Sequence, residues 1–580
     1  MREVWRTVRP YLYRYRKGLA LGFAALLMKD LMGAAIPLAI RQGVDGLTRG
    51  FSLHGVFLFA GAMLALSAVK GLFQYWMRVI IIGISRDIEY DLRNDLFRHL
   101  VRLDASFYSR FRTGDIMARA TNDLNAVRMM IGPGFMYWVE TSITFLLALS
   151  VMLAVDWRLT LLALSPAPLV SIAVVYFGRR IHDRFERIQR KFSDISSRVQ
   201  ENVAGVRVIR AYVQEQAELA GFEKLNREYI AENIKLVRIS GVFMPLLQSL
   251  IGLTFLALLW GGGYRLMQGK LTIGTFVMFS AYLTMLIWPM IAMGWVVNLV
   301  QRGRASLKRI DELLHETPGI AAPEAPALLH GPLRGEIEFR NVTVAFPTGK
   351  ALDGLNLRIR AGESVAIVGP TGCGKTTLAR LIPRLIDPSE GQVLIDGCDV
   401  RSYDPRLLRR QIGMVPQETF LFSMSLADNI ALGVENAGRD EILRAAEIAG
   451  LGPDLENMPQ GLDTLVGERG ITLSGGQKQR TAIARAILRN PSILILDDAL
   501  SSVDTLTEER ILRALRNLMA ERTTVLISHR VSTVRHADRI VVLERGRIVE
   551  EGAHAELLAR GGAYATLYQK QQLEEELEAI

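Results

Sequence analysis

Residues 364–377 read Ser364-Val-Ala-Ile-Val-Gly-Pro-Thr-Gly-Cys-Gly-Lys-Thr-Thr377. The first five residues predict a buried strand, the glycine-rich stretch predicts a tight loop, and Thr377 predicts the start of a helix. In this strand–loop–helix setting, the pattern G-x-x-x-x-G-K-T predicts backbone N–H groups that surround a phosphate at a helix N-terminus. The C-terminal part of the chain is therefore predicted to be an α/β domain that binds a nucleotide.

The side chains of this loop have complementary predicted tasks. Lys375 is expected to neutralise the β and γ phosphates, and the Thr376 hydroxyl is expected to reach a Mg²⁺ ion. Cys373 lies where the loop tolerates any small residue, so it is assigned no redox role. The predicted nucleotide contacts in this loop are Gly369, Pro370, Thr371, Gly372, Cys373, Gly374, Lys375, Thr376 and Thr377.

A second apolar segment, residues 493–496, is followed by Asp497 and Asp498. Four apolar residues before a carboxylate put Asp497 at the carboxyl end of a strand beside the phosphate loop, where it is expected to hold the Mg²⁺ shell. Asp498 follows at the position of a catalytic base. A solvated turn is the alternative for paired aspartates, and the preceding strand argues against it.

The segment Leu473-Ser-Gly-Gly-Gln477 precedes a predicted helix that begins at Lys478. Its serine and glycines are expected to leave backbone N–H groups and one hydroxyl free at a helix N-terminus, which makes a second anion site. One chain would then carry two phosphate-binding helix ends for one nucleotide. A head-to-tail dimer resolves this, because each ATP would lie between residues 369–376 of one chain and the second segment of the other. The predicted contacts in that segment are Ser474, Gly475, Gly476 and Gln477.

Together these segments resemble the motifs of the ABC transporter family, and the N-terminal half resembles its six-helix exporter type. The resemblance covers essentially the whole chain. It implies that Phe346 stacks on adenine and that Gln417 senses Mg²⁺ and couples to the membrane helices. It also implies that Asp504 bridges the two sites and that His529 contacts the γ phosphate. Taken singly, these four residues could be a core aromatic, a loop amide, a helix cap and a structural histidine. The resulting catalytic set is Asp498, His529, Gln417 and Lys375, and the Mg²⁺ set is Thr376, Gln417 and Asp497.

Asp498 departs from the family pattern, in which a glutamate follows the preceding aspartate. An aspartate is one methylene shorter, so its carboxylate falls about 1 Å short of the attacking water, and such a misplacement can cost about a hundredfold in rate. The substitution resembles the weakened site in one subunit of bacterial heterodimeric multidrug exporters. It predicts that the partner is a different chain. A homodimer that uses Asp498 as base is the alternative.

The composition indicates that the N-terminal half lies in a lipid bilayer. Of the 580 residues, 50% are hydrophobic, and the mean hydropathy is +0.20. The net charge of +10 comes largely from arginines beside apolar runs, which favours a membrane protein over one that binds nucleic acid. The two cysteines, Cys373 and Cys398, form no disulfide framework and fit a reducing cytosol.

Six runs are long enough to cross a bilayer, which takes about 20 mostly apolar residues. They lie at 18–40, 55–83, 133–155, 159–178, 241–264 and 273–299. Long arginine-rich connections follow the second and fourth runs, so these connections, both termini and the nucleotide-binding domain are predicted to be cytoplasmic. Each connection is expected to be helical with one break, near residues 111–115 and 203–206. The predicted location is the bacterial cytoplasmic (inner) membrane, as a multi-pass protein.

The predicted fold class is an α-helical transmembrane bundle, with six spans and long cytoplasmic helical extensions, followed by an α/β P-loop NTPase domain. The predicted domains are an amphipathic elbow helix at 1–18, the transmembrane domain at 19–302, a linker at 303–335 and the nucleotide-binding domain at 336–580. Lys29 and Asp30 in the first span and Glu140 in the third are expected either to line a cavity or to neutralise one another.

The predicted function is ATP-driven export of lipophilic compounds, drugs or lipids, by an ATPase coupled to transport that uses ATP and Mg²⁺. The expected partners are a second half-transporter, the lipid bilayer and a lipophilic small molecule, with no nucleic acid. An ATP-gated channel or regulator would use the same motifs and remains an alternative. The six spans argue against a soluble ABC ATPase that acts on DNA or ribosomes, and the fusion of both halves in one chain argues against an importer.

Overall fold

The computed structural model describes residues 2–50, 52–327, 331–347 and 349–578. The chain divides into two compact units: Met1–Val101 with Phe111–Glu316, and Arg102–Arg110 with Thr317–Ile580. The first unit is helical, and the second contains two β-sheets and their flanking helices. This confirms the predicted fold class, a helical membrane bundle followed by an α/β domain.

Long helices build the first unit, and several of them are longer than a bilayer crossing requires. Two π-helical turns, Arg119–Asp123 and Met130–Gly134, lie on either side of α6. Of the helices in this part of the chain, α4 belongs to the second unit and the others to the first. They are α1 (Arg2–Arg14), α2 (Arg16–Arg49), α3 (Leu53–Leu100), α4 (Ala105–Arg110), α5 (Thr113–Ala118), α6 (Leu124–Met129), α7 (Phe135–Leu164), α8 (Ala167–Ala204), α9 (Val206–Ala211), α10 (Glu215–Met267) and α11 (Ile273–Leu314). The starts of α5 and α9 lie at the two breaks predicted for the long connections.

Within the part of the chain that the structure describes, five helical stretches are long and apolar enough to cross a membrane. They contain five of the six predicted runs. The remaining run, 159–178, does not form a single helix, because α7 ends at Leu164 and α8 begins at Ala167. Pro166, which has no N–H to donate to a preceding turn, explains this break. Asp156 has non-helical φ and ψ of −157° and 97°, so the chain kinks inside α7 in the gap between the third and fourth predicted runs.

Close helix contacts fix the register of the first unit. A Cβ atom on Gly22 of α2 would lie 2.7 Å from Ile81 of α3, so only glycine permits this approach without rearrangement. Gly18 faces Ile84 in the same way, and Gly132 faces Ser85. The helices α2 and α3 therefore form a tight antiparallel hairpin. The chain before α7 packs beside the end of this hairpin that contains Gly18 and Ser85.

Polar contacts tie α11 to other parts of the first unit. Near its start, Gly274 N donates to Asp45 Oδ1 of α2 at 2.8 Å. Near its other end, Asp123 of the first π-helical turn accepts hydrogen bonds from Ser306 at 2.9 Å and from Arg309 Nε at 2.8 Å. Because Asp123 is buried, these charge-assisted bonds fix the π-helical turn against α11.

Two sheets form the frame of the second unit. The antiparallel sheet has the order β2-β1-β4-β5, and the six-stranded sheet has the order β10-β9-β3-β8-β7-β6, in which only the β9–β10 pair is antiparallel. The strands are β1 (Ile337–Phe346), β2 (Gly349–Ile359), β3 (Ser364–Val368), β4 (Glu390–Ile395), β5 (Cys398–Asp399), β6 (Ile412–Val415), β7 (Ile493–Asp497), β8 (Thr523–Ile527), β9 (Arg539–Glu544) and β10 (Arg547–Gly552).

Helices cover the six-stranded sheet, whose strands β3, β7 and β8 are buried along their whole length. Because these three strands are parallel neighbours, their carboxyl ends meet at one edge, the usual ligand-binding edge of such sheets. The helices of this unit after α4 are α12 (Lys375–Leu381), α13 (Pro405–Arg410), α14 (Leu426–Ala431), α15 (Arg439–Ile448), α16 (Gly452–Asn457), α17 (Gly475–Leu488), α18 (Thr505–Met519), α19 (Val531–Val534), α20 (His554–Arg560) and α21 (Ala563–Glu578).

Candidate nucleotide-binding site

A cleft of about 260 Å³ opens at the carboxyl ends of β3, β8 and β7. It brings together residues that are up to 178 positions apart, from Ala351 to His529. Ala351 and Ile527 were not predicted from the sequence, and neither carries a functional group that could have marked it. The cleft is lined by Ala351, Thr371, Gly372, Gly374, Lys375, Thr376, Thr377, Gln417, Asp497, Asp498, Ile527 and His529.

The glycine-rich loop between β3 and α12 has the shape of a phosphate cradle. Gly369 and Gly374 have φ of +149° and +108°, and Cβ atoms there would lie 2.1 Å from Leu543 O and 2.4 Å from Ala351 O. Both positions therefore require glycine. The loop leads into α12, whose first residue is Lys375. The Lys375 ammonium is buried and donates to Gly369 O at 2.7 Å and Pro370 O at 2.9 Å.

Asp497 offers a binding site for a hard cation at the end of β7. The residue is 1% exposed, and its Oδ1 accepts from the Thr376 hydroxyl at 3.3 Å. Its Oδ2 is buried and has no hydrogen-bond partner among the described residues. Burial raises the pKa of Asp497, the nearby Asp498 raises it further, and the bond from Thr376 opposes both effects. A buried carboxylate oxygen without a donor, beside a hydroxyl, fits the oxygen ligands that Mg²⁺ prefers.

The main chain holds Asp498 between β7 and β8. Asp498 N donates to Ile527 O at 2.8 Å, and Asp498 O accepts from the Ser501 hydroxyl at 3.1 Å. Its φ of 50° lies in the left-handed region, which aspartate tolerates better than most residues. His529 also lines the cleft. Burial lowers the pKa of its imidazole below 6.5, and the positive charge of Lys375 lowers it further.

The segment at the start of α17 lies outside this cleft. Ser474 Oγ accepts from Gln477 N at 3.2 Å, and Ser474 N donates to Gln477 Oε1 at 2.9 Å. These two residues therefore form a reciprocal capping box. The sequence predicted a free Ser474 hydroxyl, and this is wrong for the hydroxyl oxygen, which already accepts a hydrogen bond. The amide of Gln477 also donates to Asp454 at 2.8 Å, which fixes the side chain that follows the glycines.

The two glycines of this segment permit close packing on the loop after β7. A Cβ atom on Gly476 would lie 3.0 Å from Ser502 O, and one on Gly475 would lie 3.3 Å from Ser502 Cβ. Gln479 fixes the same loop, since its amide donates to Ser501 at 2.8 Å and its Oε1 accepts from Ser502 N at 2.8 Å. Gln479 was missed from the sequence, because its partners are set by the packing of α17 on this loop.

Two further predicted residues, Phe346 and Asp504, do not line the cleft. Phe346 ends β1 and is 46% exposed, so it is not a core aromatic. Asp504 caps α18 by accepting from Thr507 N at 2.9 Å. Arg530, also missed from the sequence, donates to Val503 O at 2.9 Å and to Ser501 O at 3.1 Å, and so supports the loop that contains Asp504.

Comparison with known proteins identifies the family. Residues 19–290 match the model described as ABC transporter transmembrane region, and residues 352–501 match the model described as ABC transporter. The chain is 38% identical to the probable multidrug resistance ABC transporter ATP-binding/permease protein YheI of Bacillus subtilis (strain 168), over 97% of this chain and 96% of that protein. The chain belongs to the ABC transporter family. As an ABC transporter it is a membrane protein and an ATPase coupled to transport, with a domain that binds nucleotide.

Other relatives agree over the full length of this ABC transporter. It is 36% identical to the ATP-dependent lipid A-core flippase of Syntrophus aciditrophicus (strain SB), over 98% of this chain and 94% of that protein. A solved structure of a bacterial Atm1-family ABC exporter with ATP bound matches with a TM-score of 0.79 and 31% identity, over 96% of this chain and 98% of that one. Both halves of the chain thus have the exporter architecture.

Proposed function

We propose that this chain is one half of a dimeric exporter of lipophilic compounds in the bacterial cytoplasmic membrane, and that its partner is a different chain. The names of two relatives, a probable multidrug resistance transporter and a lipid A-core flippase, support drugs or lipids as substrates. The observation that carries the two-chain arrangement is the composition of the cleft. Among the described residues, its lining includes Lys375, Asp497 and His529 and includes none of residues 474–477.

Within the cleft, each predicted residue has a task that its position supports. ATP with Mg²⁺ supplies the phosphoryl group whose transfer to water releases the energy for transport. Lys375 would exchange its bonds to the Gly369 and Pro370 carbonyls for bonds to phosphate oxygens. Thr376 and Asp497 would hold the metal, with Gln417 of the cleft lining as a further oxygen ligand.

The second phosphate-binding segment would act on the partner's nucleotide. Gly475 and Gly476 present backbone N–H groups at the start of α17, and Ser474 still has its hydroxyl hydrogen to donate. Asp504, in the loop that packs on these glycines, would bridge the two sites. The exposed ring of Phe346 would cover the adenine of the nucleotide bound to its own chain.

Asp498 is the basis for proposing a different chain as partner. Two copies of this chain would give two sites with the shorter carboxylate and hence two slow sites. A partner with a glutamate at this position would use residues 474–477 of this chain to form one fast site, while Asp498 would serve a slow site that retains ATP. A homodimer that uses Asp498 as an adequate base is the competing arrangement.

The membrane arrangement follows the charge pattern. We propose the elbow helix at 1–18, the transmembrane domain at 19–302, the linker at 303–335 and the nucleotide-binding domain at 336–580 as functional divisions. Both termini and the nucleotide-binding domain would be cytoplasmic. The bilayer would surround the apolar parts of α2, α3, α7, α8, α10 and α11.

Uptake into inside-out vesicles tests the export function. The chain would be expressed alone and together with the product of its chromosomal neighbour, and lipophilic compounds of varied charge would be offered with ATP, with and without vanadate. Vanadate-sensitive uptake is expected only from the paired chains. An ATP-dependent conductance without uptake would instead identify a channel, and brisk uptake by the lone chain would refute the need for a second protein.

A further inference from the structure

Three charged side chains meet in the interior of the first unit. Lys29 Nζ of α2 lies 2.8 Å from Asp30 Oδ1 and 2.5 Å from Glu140 Oε1 of α7. The Thr144 hydroxyl donates to Asp30 Oδ1 at 3.2 Å. The lysine and aspartate side chains are only 5% and 2% exposed, whereas the Glu140 side chain remains 22% exposed. Glu140 is therefore the member of this group that a ligand could reach.

The helix register puts this group deep within the span. Gly18 of α2 and Gly132 before α7 pack on neighbouring residues of α3, Ile84 and Ser85, and thus mark one level of the unit. At about 1.5 Å per residue, Lys29 lies about 16 Å along its helix from Gly18, and Glu140 lies about 12 Å from Gly132. Gly18 and Gly132 lie at the starts of the apolar runs predicted at 18–40 and 133–155, and the hydrocarbon core of a bilayer is about 30 Å thick, so the charged group is expected near its middle.

The group carries an excess of negative charge. One ammonium is shared by two carboxylates, and the buried Oδ2 of Asp30 has no hydrogen-bond partner among the described residues. Lys70 of α3 packs beside Gly33, where a Cβ would be 3.8 Å from its Nζ, and it makes no ion pair within the described part of the chain. Lys70 therefore offsets the excess only at longer range. Two carboxylates that share one contact ammonium leave a negative charge without its own contact cation, which is costly in this setting, so Glu140, the more exposed carboxylate, favours a further positive charge.

An aromatic pair includes a residue on the same helix face as the accessible carboxylate. Tyr137 is one helical turn before Glu140, so both side chains lie on the same face of α7. Its ring packs edge-to-face on Trp295 of α11, with the centroids 5.3 Å apart. Trp295 is 42% exposed. Aromatic faces attract cations, and large rings also bury apolar groups.

We propose that Glu140, Tyr137 and Trp295 bind lipophilic monovalent cations, with Lys29 and Asp30 holding the glutamate in place. The carboxylate would take the positive charge, and the two rings would take the apolar body of the ligand. Lys70 would disfavour a second positive charge, which is why the ligand is expected to be monovalent. This inference rests on the proposed export function and names a class of substrate for it.

Two ions of nearly equal shape and opposite charge provide the test. Binding of tetraphenylphosphonium and of tetraphenylborate would be measured by equilibrium dialysis of the assembled, full-length transporter in nanodiscs of zwitterionic lipid. The wild type is expected to prefer the cation. Glu140→Gln should weaken cation binding at least about tenfold, the usual cost of losing a charged partner. Trp295→Ala should weaken it about two- to fivefold. Glu201→Gln, at an exposed site on α8, is the matched control and should change the binding of neither ion.

Several outcomes would overturn the inference. It would be overturned if the wild type bound both ions with equal affinity, or if Glu140→Gln weakened the binding of both ions equally. A change in the pH dependence of ATP hydrolysis without a change in cation binding would mean that the site holds a proton only. If Glu140→Gln does not elute as an assembled transporter, Glu140→Asp and Trp295→Ala carry the test, and unchanged cation binding in both would overturn the inference.

Failure of this inference can be told apart from failure of the proposed export function. Vesicles that take up uncharged lipophilic compounds with ATP, while cation binding is absent, would overturn the cation site alone. Vesicles that take up no compound of any charge would overturn the export function, even if tetraphenylphosphonium binding is retained.

Discussion

Asp498→Glu is the substitution that tests most directly why this site should be slow. The exchange adds one methylene to a residue whose main chain is fixed by Asp498 N to Ile527 O at 2.8 Å and by its carbonyl to Ser501 at 3.1 Å. Neither bond involves the side chain, so the longer carboxylate should extend into the cleft without moving the strand. We expect ATP hydrolysis at this site to increase.

The size of the expected increase in rate follows from how far the carboxylate extends towards the attacking water. Moving the carboxylate forward by about 1 Å should recover up to about a hundredfold in rate, or about 2.7 kcal/mol of barrier. The left-handed φ of 50° opposes this, because glutamate lacks the local hydrogen bonding that lets aspartate occupy that region. We expect the backbone cost to reduce stability by about 1 kcal/mol, or about 2–4 °C in melting temperature for a domain of this size.

The assay isolates this site within the paired transporter. In a complex whose partner has lost its own catalytic carboxylate, ATP hydrolysis would be compared for wild type, Asp498→Glu and Asp498→Asn. We expect a large gain from glutamate and little further loss from asparagine. Melting temperatures of the same complexes provide the control for folding.

Two results would refute this reasoning. A rate that Asp498→Glu leaves unchanged would show that reach does not limit the site. A lone chain that forms a stable dimer with brisk ATPase, which Asp498→Asn abolishes, would show that aspartate is an adequate base and would falsify the proposal of a different partner.

Three further predictions concern the nucleotide-binding domain. Gly476→Ala should lower ATPase at least about tenfold, because its Cβ would press on Ser502 O at 3.0 Å. Labelling of this chain's own cleft by a photoreactive ATP analogue should persist, because residues 474–477 do not line that cleft. Lys375→Ala should abolish labelling by that analogue at this chain's own site, and undiminished labelling would contradict the assignment. The lowered pKa of His529 means that the unfolded chain binds a proton more readily below pH 6.5, so acidification through that range should lower the melting temperature of wild type more than that of His529→Gln.

Local sequence patterns predicted the phosphate loop and the end of β7 well. Gly369 and Gly374 are required by contacts with backbone a few ångströms away, and a strand that ends in Asp497 fixes where its carboxylate lies. The positive φ of both glycines belongs to a short strand–loop–helix segment, although the backbone oxygens that a Cβ atom would meet, Leu543 O and Ala351 O, come from other strands. The roles of these residues in binding and hydrolysis stay predictions until the variants above are measured.

Features set by packing or by competing local bonds were harder to predict. The run at 159–178 looked like one helix from its apolar residues, yet Pro166 divides it. The Ser474 hydroxyl was expected to be free, but its oxygen caps the helix that it begins. The sequence also left two alternatives for Lys29, Asp30 and Glu140, and only the structure shows that the lysine contacts both carboxylates.

The short connections at one end of the helical unit affect how other molecules can recognise the transporter. Few residues separate Arg49 from Leu53 and Met267 from Ile273, and Asp45 ties the second connection to α2. A protease needs several residues of flexible chain to enter its active site, and antibodies to linear epitopes need a similar length. This end should therefore resist digestion and present few linear epitopes, so labels for imaging are better attached to single side chains there than inserted as peptide tags.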